Sequence, residues 1–160
     1  MKKILLISAC MAGDPVRYDG QGKGLSTATL NALKTRFELQ PVCPECLGGL
    51  STPRPPAEIE PGGTASEVCQ GQARVIAKTG EDVTEAFREG ARLTLACART
   101  HGATVALLKA NSPSCGNHAV YDGQFAGQLV KGEGATAHHL RCAGISVFNE
   151  NELDGLLGTL

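Results

Sequence analysis

The stretch KILLIS, at residues 3–8, is a short, mostly apolar run that stops at small residues and a Gly-Asp-Pro turn at 13–15. A run of this length that ends at a turn signal is typical of a strand buried on both faces. In a parallel sheet the loop after a strand lies at the sheet's carboxyl edge. The sequence therefore places Cys10 in a loop at that edge.

The next elements continue in the pattern of a βαβ unit. Ser26 is a suitable N-cap for a helix over 27–36, with Phe37 counted on its apolar face. A second strand is predicted over 38–43, and it runs into the segment CPEC. Cys43 is thus predicted to follow a second strand at the same edge.

The rest of the chain alternates in the same way. The segment 52–72 is rich in Pro, Gly and Thr and is predicted to be a long ordered loop, a type that is usually functional. The other predicted elements are a strand over 74–77, a helix over 83–101 capped by Asp82 or Thr84, a strand over 104–109, a helix over 135–142, a strand over 144–148 and a helix from about 150. We therefore predict an α/β fold, a three-layer αβα domain with a mostly parallel, Rossmann-like sheet over residues 1–160.

Composition limits the classes of partner. The chain has 160 residues, with 15 Lys and Arg against 16 Asp and Glu, so its net charge of −1 does not indicate a surface for nucleic acid or anionic membranes. No stretch approaches the roughly 20 apolar residues of a membrane span, and the start does not fit a signal peptide. We expect a cytoplasmic protein with a small-molecule ligand, and the sequence carries no signal for oligomeric state.

Seven cysteines are many for an intracellular domain, where thiols more often serve metals or catalysis than disulfides. Three predicted strands end in cysteine-bearing loops, which supply Cys10, the CxxC pair of Cys43 and Cys46, and Cys115. Thiolates at one sheet edge suit zinc or an iron–sulfur cluster, although a CxxC can also be a redox pair. We expect Cys97 and Cys142 to be small buried hydrophobes, and Cys69, in the long loop, has no assigned role.

Polar side chains next to these cysteines are candidates for catalysis. Glu45 lies inside CPEC, where a carboxyl group could carry protons or simply cap a turn. Ser112 and Ser114 of the SPSC loop could hydrogen-bond a substrate, or bond their own backbone as loop serines often do. Prolines flank Arg54, which favours a positioned guanidinium.

Other cations and histidines carry weaker signals. Arg17 and Lys109 lie next to the cysteine loops and could orient an anionic ligand or offset thiolate charge, although a solvated surface charge is the usual reading for Arg17. His138 and His139 are adjacent on a predicted helix, about 100° apart, so both are not expected to meet one ion.

The phrase YDGQ occurs at 18–21 and at 121–124, each time fewer than ten residues after a cysteine. Asp-Gly is a strong turn signal, so each phrase carries the chain away from a cysteine loop. Tyr18 and Tyr121 are the only tyrosines in the chain. We interpret the repetition as two loops that line one pocket.

Five segments together resemble, in order and spacing, the family of the thiouracil desulfurases. They are SACMAGDPVRYDG (8–20), PVCPECLGGLSTPRPPAEI (41–59), GEDVTEAFREGA (80–91), LLKANSPSCGNHAVYDGQFAG (107–127) and GEGATAHHL (132–140). The resemblance implies an oxygen-sensitive 4Fe-4S cluster held by Cys10, Cys43 and Cys115, with one iron left open. It implies non-redox desulfuration of a thiolated nucleobase or nucleoside, such as thiouracil to uracil, with sulfur leaving through the open iron.

The resemblance also implies roles for other residues. The acid/base role falls on Glu45, and a serine of the SPSC loop assists, with Ser112 preferred to Ser114. Cys46 departs from the family pattern, which commonly has a residue other than cysteine there, so it is not expected to be a ligand, although it could compete for iron. Two other classes of protein remain as alternatives from the residues alone: a zinc hydrolase with a three-cysteine site and Glu45 as base, and a thiol or cluster redox sensor that uses Cys43 and Cys46.

Overall fold

The computed structural model of the protein describes residues 2–13, 17–20 and 24–158. Asp14 and Pro15 of the predicted first turn, and Gln21 of the first YDGQ phrase, lie outside these residues. In chain order the elements are β1 (Lys3–Ser8), α1 (Thr27–Arg36), β2 (Phe37–Val42), α2 (Pro44–Leu47), β3 (Ala57–Ile59), α3 (Ala65–Cys69), β4 (Val75–Ala77), α4 (Thr84–His101), β5 (Val105–Leu107), β6 (Ala119–Tyr121), β7 (Leu129–Lys131), α5 (Ala135–Cys142), β8 (Ser146–Phe148) and α6 (Leu153–Leu157).

The centre of the fold is a four-stranded sheet in the order β2-β1-β5-β8, with every neighbouring pair parallel. The predicted parallel sheet is confirmed. The chain moves from β1 outward to β2 on one side and from β5 outward to β8 on the other, so β1 and β5 flank the point at which the winding reverses. In open α/β sheets the ligand crevice lies outside the carboxyl ends of the strands at this point. The described strands do not form the six-stranded order of a dinucleotide-binding Rossmann fold.

The alternating side chains of β1 explain the three layers. Leu5 and Ile7 are fully buried on one face of the sheet, in a cluster that includes Leu33 of α1 and Leu156 of α6. Leu6 is fully buried on the other face, with residues of α4 and α5. Because successive side chains of a strand point to opposite faces, an unbroken apolar run requires a helix layer on each side. The predicted αβα architecture is confirmed.

The prediction of a long loop over 52–72 is wrong. This segment contains β3 and α3, and β3 pairs antiparallel with β4 outside the main sheet. Thr64 and Glu67 form a capping box that starts α3. Ile59, Val68 and Val75 are buried with Phe87 of α4 in a third cluster, so these short elements are stabilised by packing that their own sequence does not reveal.

Smaller differences occur at the predicted element ends. Ser26 caps α1 as predicted, its hydroxyl accepting from the Thr29 amide at 3.2 Å, but Phe37 is the first residue of β2 rather than part of the helix. Helix α4 has no side-chain cap at Val83, although Asp82 accepts a hydrogen bond from the Thr84 amide at 2.9 Å. The antiparallel pair β6 and β7 was not predicted. Among the described residues no helix is both long and apolar enough to cross a bilayer.

A close approach of two helices positions the CPEC segment. A β-carbon added to Gly90 of α4 would overlap the carbonyl oxygen of Pro44 in α2, and one added to Gly48 would overlap the carbonyl oxygen of Ala86. Only glycine permits this contact between backbones. The contact places Cys43 and Glu45 at the sheet edge.

We therefore expect Gly90→Ala to lower the free energy of unfolding by about 3 kcal/mol, the upper end of the range for overpacking. The matched control is Gly155→Ala in α6, where the added β-carbon would meet the Phe148 ring at an ordinary 3.5 Å and helix propensity favours alanine. Chemical denaturation of both variants measures the difference, and equal stabilities would refute the proposed close packing.

Candidate active site

Three loops carry cysteines to the carboxyl edge of the sheet. Cys10 follows β1, Cys43 follows β2 as the N-cap of α2, and Cys115 lies in the loop after β5. Backbone contacts hold these loops together, since the Ala9 amide donates to the Val42 carbonyl at 2.7 Å. The three predicted cysteine loops thus meet where the winding of the sheet reverses.

These loops line a cavity of about 410 Å³, within the size range of small-molecule sites. Its wall includes the three cysteines Cys10, Cys43 and Cys115, and the polar residues Glu45, Arg54 and Ser112. Tyr18 and Tyr121 both line it as well. The interpretation of the two YDGQ phrases as loops around one pocket is confirmed.

The surroundings of the three thiols disfavour their ionised forms. Burial raises the pKa of the Cys10 thiol, and the charges of Lys109 and Arg17 partly offset this effect. Burial, followed by a hydrogen bond with Cys46, raises the pKa of Cys43 to about 12. Burial raises the pKa of Cys115 further, and the nearby charges of Glu45, Cys10 and Cys43 add to this. Such thiols bind metal only as thiolates, so metal binding at this site must release protons.

Sequence reasoning missed Ser8, a buried residue at the end of β1. Its hydroxyl oxygen accepts a hydrogen bond from the Lys109 amide at 3.0 Å, which ties β1 to the chain after β5. The same hydroxyl donates to Cys115 Sγ at 4.0 Å. Ser8 therefore links two of the cysteine loops, and only its place at the end of the first strand pointed to this role.

Cys46 lies beside Cys43 but does not line the cavity. Its Sγ is 3.6 Å from Thr52 Oγ1. Among the described residues, Cys43 lines the cavity and Cys46 does not. None of the seven cysteines forms a disulfide in the structure. The expectation that Cys46 is not a cluster ligand stays a prediction.

Glu45 and Arg54 form a mostly buried ion pair at the cavity wall. Arg54 Nε donates to Glu45 Oε2 at 3.0 Å, and the exposed fractions of the two side chains are 6% for Arg54 and 18% for Glu45. Burial lowers the pKa of Arg54, but the charge of Glu45 and the hydrogen bond to it outweigh burial, so that this pKa is raised overall. Arg54 Nη1 also donates to the Ser51 carbonyl at 3.1 Å. The predicted positioned guanidinium is thus present, and it fixes the carboxylate of Glu45.

The two serines of the SPSC loop have different surroundings. Ser112 lines the cavity, and its Oγ accepts hydrogen bonds from the amides of Ser114 at 3.0 Å and Cys115 at 2.8 Å. A hydroxyl has two acceptor positions and one donor, so the proton of Ser112 remains to be donated. Ser114 is buried, with its Oγ 2.8 Å from Thr136 Oγ1, and it is not among the described residues that line the cavity.

Charged residues complete the cavity wall. Lys109 Nζ lies 2.5 Å from Glu150 Oε2, and Arg17, 3.6 Å from Asp19, lies 5.6 Å from the centre of the Tyr18 ring. Both cations line the cavity. The Arg17 side chain keeps 26% of its surface exposed, so its interpretation as a solvated surface charge stays a prediction.

Sequence reasoning also missed Glu58 and Lys78 in the cavity wall. Glu58 Oε1 accepts from the amides of Gly123 at 2.9 Å and Phe125 at 3.2 Å, which attaches the second YDGQ loop to β3. No sequence signal marked Glu58, because its strand is short and pairs outside the main sheet.

The remaining cysteines and histidines lie elsewhere. His118 pairs with Glu152 at 2.8 Å, and neither His138 nor His139 lines the cavity among the described residues. The expectation that Cys142 is buried is wrong, because this residue ends α5 and is exposed to solvent. Cys97 is half-buried and packs against a core cluster that includes residues of α5. The prediction that Cys97 is a small buried hydrophobe is therefore met in part.

No group of three or more His, Cys, Asp or Glu side chains within residues 2–13, 17–20 and 24–158 is arranged to hold a single metal ion. Cys10, Cys43 and Cys115 instead stand around the wall of the cavity. An iron–sulfur cluster takes its thiolate ligands at separate corners of a larger body. The donor set fits such a group.

Comparison with known proteins agrees with this geometry. A family model described as 2-thiouracil desulfurase matches residues 5–152. The chain belongs to the 2-thiouracil desulfurase family. The chain is also 44% identical over 154 residues to the uncharacterized protein YbbK of Bacillus subtilis (strain 168), a match that covers 96% of this chain and all of YbbK.

A solved structure resembles this member of the 2-thiouracil desulfurase family over nearly its whole length. It is the [4Fe-4S]-dependent thiouracil desulfidase TudS, with a TM-score of 0.85 and 42% sequence identity. The match covers 99% of this chain and 100% of the TudS chain. The family resemblance noted from the sequence is confirmed.

Proposed function

We propose that this protein is a [4Fe-4S]-dependent desulfurase that converts a thiolated nucleobase or nucleoside, such as thiouracil, to its oxygen counterpart. The net reaction consumes one water and releases hydrogen sulfide, so the thiocarbonyl sulfur is exchanged for oxygen without net oxidation or reduction. The observation that carries the proposal is the meeting of three thiols, from three separate loops, with the Glu45–Arg54 pair at one cavity. Membership of the 2-thiouracil desulfurase family and the likeness to TudS support it.

Cys10, Cys43 and Cys115 are proposed to hold the cluster. Cys10 and Cys115 are buried and Cys43 is half-buried, which limits the access of water to the bound group. The positive charges of Lys109 and Arg17 act on Cys10 and favour its thiolate. A cluster with three thiolate ligands supplies, when bound, an open iron that attracts the soft sulfur of a thiocarbonyl group.

Glu45 is proposed to move the protons. A water that replaces sulfur at the ring carbon must lose protons, and the departing sulfur must gain them. A carboxylate at the cavity wall can accept the first proton and return it. The ion pair with Arg54 keeps the carboxylate in one place, so the distance to a bound substrate is set by the protein.

Ser112 is proposed to assist as a hydrogen-bond donor. Two backbone amides occupy its acceptor positions, which leaves its proton for a substrate atom or for the attacking water. Tyr18 and Tyr121 provide ring surfaces in the same wall for a flat heterocycle.

We expect Ser112→Ala to lower kcat more than Ser114→Ala does. Ser114→Ala leaves the buried hydroxyl of Thr136 without its partner, which is expected to lower the free energy of unfolding by about 1–3 kcal/mol. Steady-state kinetics and chemical denaturation of both variants separate the two effects. A larger loss of kcat in Ser114→Ala would reverse our assignment of the assisting serine.

We further propose that residues 1–160 act as one desulfurase domain in the cytoplasm. A reducing compartment keeps thiols available for iron, and the chain has seven cysteines. The balance of 15 basic and 16 acidic residues favours a small-molecule substrate over a nucleic acid.

The direct test is an anaerobic assay of iron and sulfide with a visible spectrum, followed in the same cuvette by 2-thiouracil and a measurement of uracil. Four irons per chain with formation of uracil are expected. Four irons without uracil, with 4-thiouracil and thiolated nucleosides also unchanged, would overturn the activity. Absence of iron after reconstitution, or activity with zinc alone, would overturn the cluster.

A further inference from the structure

A second set of reactive side chains lies outside the cavity, along α5. Glu133 precedes this helix, His138 lies in it, and Cys142 is its last residue. None of the three is among the described residues that line the cavity. Cys142 is exposed to solvent, so its thiol is accessible to solutes.

The three side chains form a nucleophile, a base and a carboxylate in sequence. His138 Nε2 lies 3.5 Å from Cys142 Sγ, and His138 Nδ1 lies 3.1 Å from Glu133 Oε1. The carboxylate can only accept, so Nδ1 carries the proton, and Nε2 of the neutral ring is left to accept from the thiol. A nucleophile whose base is oriented by a third group is the arrangement of an activated nucleophile.

The surrounding charges keep Glu133 in the acceptor state. Arg141 donates to Glu133 from Nε and from Nη2, both at 2.8 Å, and this lowers the pKa of the Glu133 carboxyl. Arg141 Nη2 also lies 3.4 Å from His138 Nδ1. Both nitrogens carry protons in this tautomer, so they do not bond each other but share Glu133 Oε1 as their acceptor. Helix α3 packs on α5, and its Cys69 faces the Cys142 side chain. Burial, followed by the charge of Cys142, raises the pKa of Cys69. The Cys69 thiol donates to the Ala135 carbonyl at 3.6 Å.

We propose that Cys142 is a thiol–disulfide exchange site for small disulfides, with His138 as its base and Glu133 as a positioning residue. His138 Nε2 takes the thiol proton, and the Cys142 thiolate attacks one sulfur of the disulfide. A new bond forms between Cys142 and that sulfur, the old sulfur–sulfur bond breaks, and the other half leaves as a thiolate that takes up a proton. The disulfide is the oxidant, so no further reactant is needed.

The chain contains a matched pair that lacks this arrangement. Cys97 and His101 have the same i,i+4 spacing on α4, with Sγ 3.7 Å from Nδ1. However, His101 Nδ1 also lies 2.9 Å from the Cys97 carbonyl oxygen, to which it must donate its proton. Among the described residues the ring of His101 bonds only within its own helix, so it is no base for its thiol. Cys97 is therefore the internal control for a half-buried thiol beside a histidine.

The test uses the anaerobically purified protein with its cluster, treated with oxidised glutathione and quenched in acid, with mass spectrometry of each cysteine-containing peptide over time. We expect a mixed disulfide at Cys142 that forms about tenfold more slowly in His138→Gln, because a cysteine without a base is only a few per cent thiolate at neutral pH. Glu133→Gln should slow Cys142 by a smaller factor and shift its pH–rate profile, while His101→Gln leaves the rate at Cys97 unchanged.

Unchanged rates at Cys142 in both His138→Gln and Glu133→Gln would overturn the proposal and leave only an exposed thiol. A second measurement compares the rates of mixed-disulfide formation at Cys142 and at Cys97 within the same His138→Gln protein. The loss of rate should be confined to Cys142. An equal loss at Cys97 would also overturn the proposal, because it would show a general change of structure rather than the loss of a base.

Discussion

The variants Cys10→Ala, Cys43→Ala and Cys115→Ala should each lose bound iron after anaerobic reconstitution, whereas Cys46→Ala should retain it. Each of the first three thiols comes from a different loop at the cavity wall, so none of the three can take the place of another. The thiol of Cys46 is directed to Thr52 Oγ1 at 3.6 Å and lies outside the cavity wall. Iron and sulfide per chain, with the visible spectrum, measure the outcome.

The control for these variants is Cys97→Ala, since Cys97 lies on α4 and outside the cavity wall of described residues. It should bind iron like the unmodified protein. Circular dichroism of each variant checks that the loss of iron is not a loss of fold. A colourless Cys46→Ala protein, or full iron in Cys10→Ala, would overturn the assignment of ligands.

Glu45→Gln should retain the cluster and lose turnover, with kcat lower by about 10²–10⁴-fold, the range for removal of a general acid or base. Glutamine has nearly the same shape as glutamate and its amide oxygen can still accept from Arg54 Nε, so the local structure should persist. The amide cannot take up a proton at neutral pH. The expected result is therefore a full complement of iron with little uracil formed from thiouracil.

The matched control is Glu38→Gln, which makes the same change at an exposed position of β2 outside the cavity wall. It should leave kcat unchanged. An active Glu45→Gln protein would exclude Glu45 as the proton carrier and direct attention to Glu58, the other carboxylate of the wall. Loss of iron in Glu45→Gln would show instead that the residue supports the cluster.

The elements of the main sheet were predictable because each is decided by local sequence. KILLIS at 3–8 and the apolar run over 104–109 are too apolar to lie anywhere except between two layers of helix. The helices α1 and α5 were predicted with the bounds that the structure has. Since parallel strands present their carboxyl ends at one edge, this pattern was enough to bring the three cysteine loops together.

The strand β3, its pairing with β4 and the helix α3 were not predicted from the sequence, and the reason is physical. Strands of three residues and a helix of five have little stability of their own. They form because Ile59, Val68 and Val75 become buried against Phe87, far along the chain. The position of Glu58 in the cavity wall depends on the same packing.

The sequence by itself determined the layers, the parallel sheet, and the edge to which Cys10, Cys43 and Cys115 are carried, because periodicity and strand direction are local properties. Only the tertiary structure decided which way each side chain at that edge faces. It separated Ser112 at the cavity from Ser114 in the interior. It also left Cys46 outside the described wall of the cavity and exposed Cys142 beside His138. These outcomes depend on contacts between residues distant in sequence, such as Arg54 with Glu45 and Gly90 with Pro44, which no local pattern encodes.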